Sequence, residues 1–201
     1  MNEHKVHRHE SEPGHALPKG LAHVLSAEAM ANYPHRKPNQ PMLHRLQALT
    51  PADLFGARIP RSNQAPGLLS GLWLLHGFLE QSHEISQALA TPEGSWWHAI
   101  MHRLEGDYWN SKYWYRQVGS HVIFSRLTAR LKTAWAPDRF VDECKRASER
   151  SSNPATQAAD QAAVQHVAQI EWQELFAYSW EQAGGEPTVR AFFEFTSNTP
   201  R

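Results

Sequence analysis

The sequence predicts an all-α protein, an irregular helical bundle of five to seven helices with a proline-rich extended N-terminal segment. Apolar residues recur at helical spacing from residue 67 onward. Helix start signals are also present, because Thr50-Pro51 and Asn153-Pro154 each place a capping side chain before a proline suited to the first helical turn. No segment alternates apolar and polar residues as a half-buried strand would, so we expect no sheet.

The first 20 residues are rich in histidine, glutamate and proline and contain few large apolar groups. Such a composition buries too little apolar surface to become ordered, so we predict a disordered N-terminal arm over 1–20. We expect 21–201 to form a single helical domain, with a proline-rich wrap at 21–66 followed by a helical core at 67–183.

Prolines divide the wrap into short elements, since a proline in a helix interior removes a hydrogen bond and clashes with the preceding turn. Two brief helices are predicted there. One covers Leu21–Asn32, and the other begins at Thr50-Pro51.

The first strong helix of the core is predicted over 67–90. Its apolar residues lie on all sides of the helical wheel, which indicates a buried helix. Thr91-Pro92-Glu93-Gly94 interrupts it, and Ser95 is expected to cap a second helix over 96–105.

Caps and terminators farther along the chain predict the remaining helices. The expected ranges are 108–119, 121–135 with Ser120 as its cap, about 138–150, and a long helix from Pro154 to about Ala183. The last sixteen residues are expected to pack back on the domain as a short helix or strand.

Two of these predicted helices each carry three polar side chains at positions i, i+4 and i+7, which fall on one helical face. They are His76, Glu80 and His83 in the first helix and His98, His102 and Glu105 in the second. If the two faces meet, four imidazoles and two carboxylates converge. The sequence therefore predicts a functional centre, in a small-molecule enzyme, between helices 67–90 and 96–116.

In one interpretation this centre holds a divalent metal ion, either iron, manganese or zinc. His98 and His102 are spaced to bind one ion from a single helix, and His83 and Glu105 are the further candidate ligands. Glu80-x-x-His83 matches half of the motif of di-iron bundles, but the sequence has no second copy of it and no His-Glu-x-x-His.

In a second interpretation the centre is metal-free and performs acid–base catalysis, with His76, Glu80, His98 and His121 as the catalytic candidates. His121 is expected at a helix start, where the helix dipole favours the neutral imidazole. In a third interpretation these residues form a buried polar network that fixes the helix register. The chain would then be a non-enzymatic ligand-binding or interaction protein.

Seven aromatic residues are concentrated in 96–115. Aromatic faces beside polar and basic groups are typical of small-molecule pockets, although we expect about half of these rings to belong to the core. Arg103 is expected to point to solvent. The candidate ligand-binding residues are Asp107, Asn110, Lys112, Tyr113, Trp114 and Arg116.

Charge and composition restrict the partners and the cell compartment. Lysine plus arginine and aspartate plus glutamate number 20 each, so the chain lacks the positive field that draws proteins to nucleic acid. No apolar run reaches the ~20 residues needed to cross a membrane, and no signal peptide is apparent. The single cysteine, Cys144, is expected to be a passive thiol. We predict a cytoplasmic protein with a small-molecule ligand and neither a nucleic-acid nor a membrane partner.

One stretch of the chain resembles a known family. Residues 94–124 read GSWWHAIMHRLEGDYWNSKYWYRQVGSHVIF. They resemble a family of uncharacterised bacterial and fungal proteins in which a G-S-x-W-H-x-I-M-H-R-x-E-x-D block precedes N-x-K-Y-W and V-G-x-H. The upstream LLHGFLEQSH is similar to the preceding helix of that family. The resemblance covers about 66–125 and implies no activity, so it assigns no catalytic role.

Overall fold

The computed structural model describes residues 17–35, 37–55, 65–149 and 152–198. Within these ranges the chain forms twelve α-helices and one short 3₁₀ helix and contains no strand, so the all-α prediction is confirmed. The helices are more numerous than five to seven because several are only one or two turns long. The predicted disordered arm falls mostly on residues 1–16, which lie outside the described residues.

Short helices occupy the N-terminal segment and longer ones form the core. The former are α1 (Lys19–Ala22), α2 (Ala27–Ala31), the 3₁₀ helix (Gln40–Met42), α3 (Leu43–Ala48) and α4 (Pro51–Phe55). The latter are α5 (Ala65–Leu75), α6 (Leu79–Gln87), α7 (Pro92–Glu105), α8 (Tyr108–Val118), α9 (Val122–Leu131), α10 (Pro137–Ser148), α11 (Pro154–Gln182) and α12 (Thr188–Asn198).

The N-terminal segment contains two helices where one was expected over Leu21–Asn32, so that range is wrong. The chain leaves the helical path between α1 and α2, and the Ser26 hydroxyl restarts it by accepting a hydrogen bond from the Ala29 amide at 3.1 Å. The helix predicted to begin at Thr50-Pro51 is confirmed as α4.

The helix predicted over 67–90 is also two helices, α5 and α6, so that prediction is wrong. The chain breaks at His76-Gly77-Phe78, where Gly77 has a φ of +77°. This left-handed conformation is costly for a residue with a side chain. A Cβ at Gly77 would in addition lie 3.0 Å from the carbonyl oxygen of Lys37. The break turns His76 away from the polar face of α6.

The next helix, α7, begins earlier than predicted. Pro92 occupies its first turn, and the Thr91 hydroxyl accepts a hydrogen bond from the Gly94 amide at 3.0 Å, so Thr91 rather than Ser95 is the cap. Gly106, with a φ of +91°, ends the helix as expected. The short link that follows brings α8 back along α7, which positions the aromatic segment beside the histidines.

The longest helix, α11, lies at the centre of the fold and confirms the predicted start at Pro154. The Asn153 side chain accepts hydrogen bonds from the Ala155 and Thr156 amides at 3.0 and 3.3 Å. The second half of α11 is buried. Its Trp172 donates a hydrogen bond to the Gly71 carbonyl of α5 at 2.9 Å, which joins the two helices in the core.

Side-chain amides of α11 hold the N-terminal segment. Gln169 Nε2 donates to the carbonyl oxygens of Met30 and Tyr33 at 2.9 and 3.1 Å, and Gln165 Nε2 donates to that of Tyr33 at 3.2 Å. These bonds satisfy carbonyl groups at and beyond the end of α2. They also bring the Tyr33 ring to within 6.1 Å of the Trp172 ring, measured between centroids.

The C-terminal helix α12 returns to α11, so of the two alternatives, helix or strand, the helix is confirmed. Val189 and Phe193 are buried in this contact. Arg190 forms ion pairs with Glu174 at 3.0 Å and Glu181 at 2.7 Å, both on α11.

Candidate metal centre

Three of the predicted histidines meet between α6 and α7. His83 lies on α6, and His98 and His102 lie one turn apart on α7. One ring nitrogen from each residue lies within 4.8 Å of the other two. The rings of His98 and His102 are stacked with centroids 4.8 Å apart, and His83 is edge-on to both, at 4.7 and 5.5 Å.

His98 and His102 are buried and His83 is half-buried, and three ring nitrogens of the two buried residues lack a hydrogen bond to any described residue. His98 is 3% exposed, and neither of its ring nitrogens has a hydrogen-bond partner among the described residues. His102 is 9% exposed, and its Nδ1 likewise has no hydrogen bond to any residue that the structure describes. Each unpaired buried polar group costs about 1–3 kcal/mol, so this arrangement needs a compensating partner.

Burial favours the neutral form of His98 and His102. Burial, together with charge repulsion from the neighbouring His102 and His83, lowers the pKa of His98 to about 4. Burial also lowers the pKa of His102, against the opposing effect of the Asp107 and Glu105 carboxylates. Neutral imidazole is the form that binds a metal ion, so protons do not compete at neutral pH.

Two other predicted residues adjoin the cluster. Trp114 of α8 stacks on His98 with ring centroids 4.1 Å apart, so it forms a wall of the histidine site. Glu105 Oε2 lies 3.3 Å from His102 Nδ1, within ion-pair distance but outside hydrogen-bonding geometry. The Glu105 side chain is 57% exposed and is therefore the most accessible member of the group.

The spacing of the three nitrogens allows one ion after a small adjustment. An ion equidistant from three atoms separated by 4.8 Å lies about 2.8 Å from each, and Zn–N bonds measure about 2.0–2.1 Å, so each ring must approach by about 0.7 Å. The site is thus near, and not at, coordination geometry.

The structure does not bring His76 into this cluster. His76 Nε2 donates to the Val24 carbonyl at 2.8 Å, and Nδ1 lies 3.2 Å from Asn39 Nδ2, which donates to it. Both ring nitrogens are therefore occupied by the N-terminal segment. Glu80 is exposed at the start of α6 and is likewise separate from the three histidines.

His121 lies in a different buried pair. Its Nδ1 accepts a hydrogen bond from the Ile123 amide at 3.3 Å as the cap of α9, in place of the expected Ser120. The proton is therefore on Nε2, which donates to Glu93 Oε1 at 3.1 Å. Both nitrogens serve to begin α9 and to join it to α7, so this imidazole has no free atom for proton transfer.

The remaining candidate ligand-binding residues are distributed along α8 rather than gathered in one pocket. Asp107 caps α8 and accepts hydrogen bonds from Asn110. The Tyr113 side chain is 42% exposed. The basic side chains of α8 pair with carboxylates of α10. The pairs are Lys112 with Asp142 at 2.6 Å and Arg116 with Asp138 at 3.5 Å.

The expectation that Arg103 points to solvent is wrong. Arg103 is 3% exposed, and its NH2 group donates to Glu171 Oε2 of α11 at 2.6 Å. Trp96 Nε1 donates to Glu171 Oε1 at 2.8 Å, and the Tyr115 hydroxyl bonds to both charged partners. Sequence reasoning missed this network. Its signal was a glutamate inside the aromatic run of α11, where a buried carboxylate requires a cation.

A large cleft lies at the start of α6. Its volume is about 760 Å³, and its lining includes His35, Leu43, Phe78, Leu79, Glu80 and Leu104. Leu79 and Glu80 precede His83 by one helical turn, and Leu104 follows His102 by two residues. The cleft and the cluster share the helices α6 and α7, although none of the three histidines lines the cleft.

No protein-family model, curated protein or solved structure matches this chain. The resemblance at 94–124 to a bacterial and fungal family accordingly stays a prediction. None of the helices in the described ranges combines the length and the apolar character that crossing a bilayer requires.

Proposed function

We propose that His83, His98 and His102 bind a divalent transition metal ion, and that the chain is a small-molecule enzyme that uses this ion. The observation that carries the proposal is the burial of the His98 ring. Both of its ring nitrogens are buried without a partner among the described residues, beside two further imidazoles. A metal ion would bind the lone pair of the unprotonated ring nitrogen and remove the cost of burying it, while the other nitrogen would keep its proton.

The ligand set favours zinc, iron or manganese over magnesium and calcium, because the latter prefer oxygen ligands. Three protein ligands leave an open coordination position, which is typical of catalytic rather than structural zinc sites. Such an ion supplies Lewis-acid chemistry and lowers the pKa of a bound water molecule. Glu105, near His102 and open to solvent, is suited to orient His102 or to accept a proton.

The 760 Å³ cleft is the proposed substrate site. Its apolar side chains would contact the body of a small molecule, and the Glu80 carboxylate would attract a cationic or hydroxyl group at the cleft's rim. In this proposal Glu80 is a substrate-binding residue, which differs from the catalytic role predicted from its position in the sequence. A cytoplasmic location is part of the same proposal.

Metal analysis of the full chain, purified without nickel chromatography, tests the proposal. We expect about one equivalent of zinc, iron or manganese per chain in the wild type. His98→Ala and His83→Ala should lose this metal while the melting curve stays cooperative. His166→Ala is the matched control, because His166 is exposed on α11 and should retain the metal. A metal-free wild type after incubation with each ion would contradict the proposal.

A second candidate is a non-enzymatic protein with a structural histidine cluster. The observation in its favour is the stacking of Trp114, His98 and His102 at ring distances of packed aromatic side chains. This candidate predicts a metal-free protein that His98→Leu stabilises, because the substitution removes two unpaired buried nitrogens. The metal proposal predicts instead that His98→Leu, having lost the ion, melts at a lower temperature than the metal-loaded wild type.

A further inference from the structure

One wall of the 760 Å³ cleft is a short non-core stretch of the N-terminal segment, residues 34–35 and 37–43, which we call the strap. The strap residues that line the cleft are Pro34, His35, Pro38, Gln40 and Leu43. The rest of the lining comes from 77–81, at the start of α6, and from Leu104 of α7. The width of the cleft therefore depends on how closely the strap lies against the break between α5 and α6.

Both ends of the strap are anchored to the rest of the fold. Before it, Gln165 and Gln169 of α11 donate hydrogen bonds to the Tyr33 carbonyl at 3.2 and 3.1 Å. After it, Leu46 of α3 is 3% exposed and belongs to the hydrophobic core. The middle of the strap can therefore move away from the break while its two ends stay in place.

His76, in the break between α5 and α6, holds the middle of the strap. The Asn39 backbone amide donates to the His76 carbonyl at 2.9 Å, and Asn39 Nδ2 donates to His76 Nδ1 at 3.2 Å. His76 Nε2 donates to the Val24 carbonyl, so the neutral imidazole uses both of its nitrogens. The His35 ring of the strap is stacked near the His76 ring, with centroids 6.2 Å apart and planes 25° apart.

The surroundings of these two rings disfavour a charge on either. Burial lowers the pKa of His76, and repulsion from His35 adds to this effect, whereas the bond to Val24 opposes it. Burial also lowers the pKa of His35.

The elements packed around the pair supply no compensating charge. The link between α1 and α2 contributes only the Val24 carbonyl, and the strap contributes Lys37, whose side chain is exposed. Glu80 of α6 lines the same cleft, but no carboxylate among the described residues offsets the charge of either ring. Charging both imidazoles therefore produces an uncompensated repulsion between the strap and the break.

We propose that the strap is an acid-sensitive cover of the cleft: when His35 and His76 become charged together, its middle leaves the α5–α6 break and the cleft widens. Once released, the rings are hydrated, and their pKa values return to the ordinary 6.5. Below pH 6.5 the released state therefore binds more protons than the closed state, and acid favours release. Neither ring belongs to the cluster of His83, His98 and His102, so the inference stands whether or not that cluster binds a metal.

Amide hydrogen exchange of the full chain, in the presence of a chelator, tests this inference. The Asn39 amide reports directly on the strap, because its acceptor is the His76 carbonyl. After correction for the intrinsic pH dependence of exchange, we expect its protection to fall about tenfold between pH 7 and pH 5.5, as for one pKa lowered by about one unit.

Glutamine variants separate the titration of the two rings from other effects of acid. In His76→Gln the side chain can still donate to Val24 and accept from Asn39, but it carries no charge, so the fall in Asn39 protection should disappear. His35→Gln should reduce the fall, because it removes one of the two charges. His44→Gln is the matched control, since His44 is exposed on α3 and the fall should persist.

Hydroxyl-radical footprinting of the same proteins measures the opening of the cleft. Phe78 lines the cleft and is 5% exposed, so its oxidation should rise several-fold from pH 7 to pH 5.5 in the wild type and stay constant in His76→Gln. Phe193, buried between α11 and α12, should be equally protected at both pH values. The inference is overturned if Asn39 protection does not change with pH, if His76→Gln shows the wild-type fall, or if Phe78 oxidation stays constant in the wild type.

Discussion

The indole ring of Trp114 lies against the imidazole of His98, with the ring centroids 4.1 Å apart and the planes 18° apart. The two residues come from α8 and α7, which the turn at Gly106 brings together. The contact excludes water from one side of the histidine. Since burial is the main cause of the low pKa of His98, Trp114 is a direct contributor to the neutral state of that imidazole.

Removal of this indole should change the titration of His98. In Trp114→Ala, water reaches the imidazole, and we expect its pKa to rise from about 4 toward the ordinary value of 6.5. The change is measured by following the ring proton signals of the metal-free protein against pH. Trp109→Ala is the control, because Trp109 lies on the same helix but is 72% exposed. An unchanged pKa in Trp114→Ala would show that the indole does not control hydration of His98.

The stability of the metal-free protein should fall on mild acidification. The pKa of His98 is about 4 in the folded chain and 6.5 when the chain is unfolded, so between these values the unfolded state binds more protons. The free energy of unfolding should therefore be constant above pH 6.5 and decrease from pH 6.5 to pH 4.

Urea unfolding at pH 7, 6, 5 and 4 in the presence of a chelator measures this decrease. His98→Leu should reduce the slope without abolishing it, because burial lowers the pKa values of His76 and His102 in the same direction. Equal slopes in the wild type and in His98→Leu would mean that His98 titrates normally in the folded chain.

His76→Ala should destabilise the fold and leave metal binding intact. The substitution removes the hydrogen bond to the Val24 carbonyl and opens a cavity, at a combined cost of about 3 kcal/mol. The free energy of unfolding in urea gives this loss, and metal analysis of the same preparation gives the second result. Loss of metal from folded His76→Ala would contradict the separation between His76 and the cluster.

Arg103→Met should be among the most damaging single substitutions in the core. It leaves the Glu171 carboxylate buried without its cation, which costs about 3–5 kcal/mol. Adding Glu171→Gln should recover part of this loss, because the uncompensated charge is then removed. The comparison is made by urea unfolding, with Arg139→Met as the control. Arg139 forms an exposed ion pair with Glu143, which contributes about 1 kcal/mol or less.

Helix ends that depend on adjacent residues were predictable from the sequence. Asn153-Pro154 begins α11 and Gly106 ends α7, because a cap or a left-handed glycine acts on the backbone within a few positions of itself. The start of α7 was misplaced for a related reason. Thr91-Pro92 is itself a cap followed by a first-turn proline, so the residues that interrupt one helix also begin the next.

The break at Gly77 could not be predicted from neighbouring residues. A glycine inside a helix costs only about 1 kcal/mol, so its presence is a weak signal. The break is stabilised by distant groups, because His76 bonds to Val24 and Asn39 in the N-terminal segment. One of the three residues of the first predicted polar face, His76, therefore bonds to another part of the molecule.

The histidine cluster was predicted in part. His98 and His102 lie on the same helix in the sequence and in the structure, and His83 faces them because α6 and α7 pack together. The partner of Arg103 was not predictable in this way, since Glu171 is 68 positions away and no spacing rule relates them. A buried ion pair between distant elements requires the tertiary fold to be known.

The side-chain amides of Gln165 and Gln169 donate hydrogen bonds to the carbonyl oxygens of Met30 and Tyr33. These hydrogen bonds link two parts of the chain that the ribosome synthesises at different times. Gln169 follows Met30 by 139 positions, so a ribosome must translate all the intervening residues before this partner exists. Met30 and Tyr33 therefore leave the exit tunnel long before Gln165 and Gln169 do. Chaperone contacts with a nascent chain stalled before residue 154 should concentrate on this early segment.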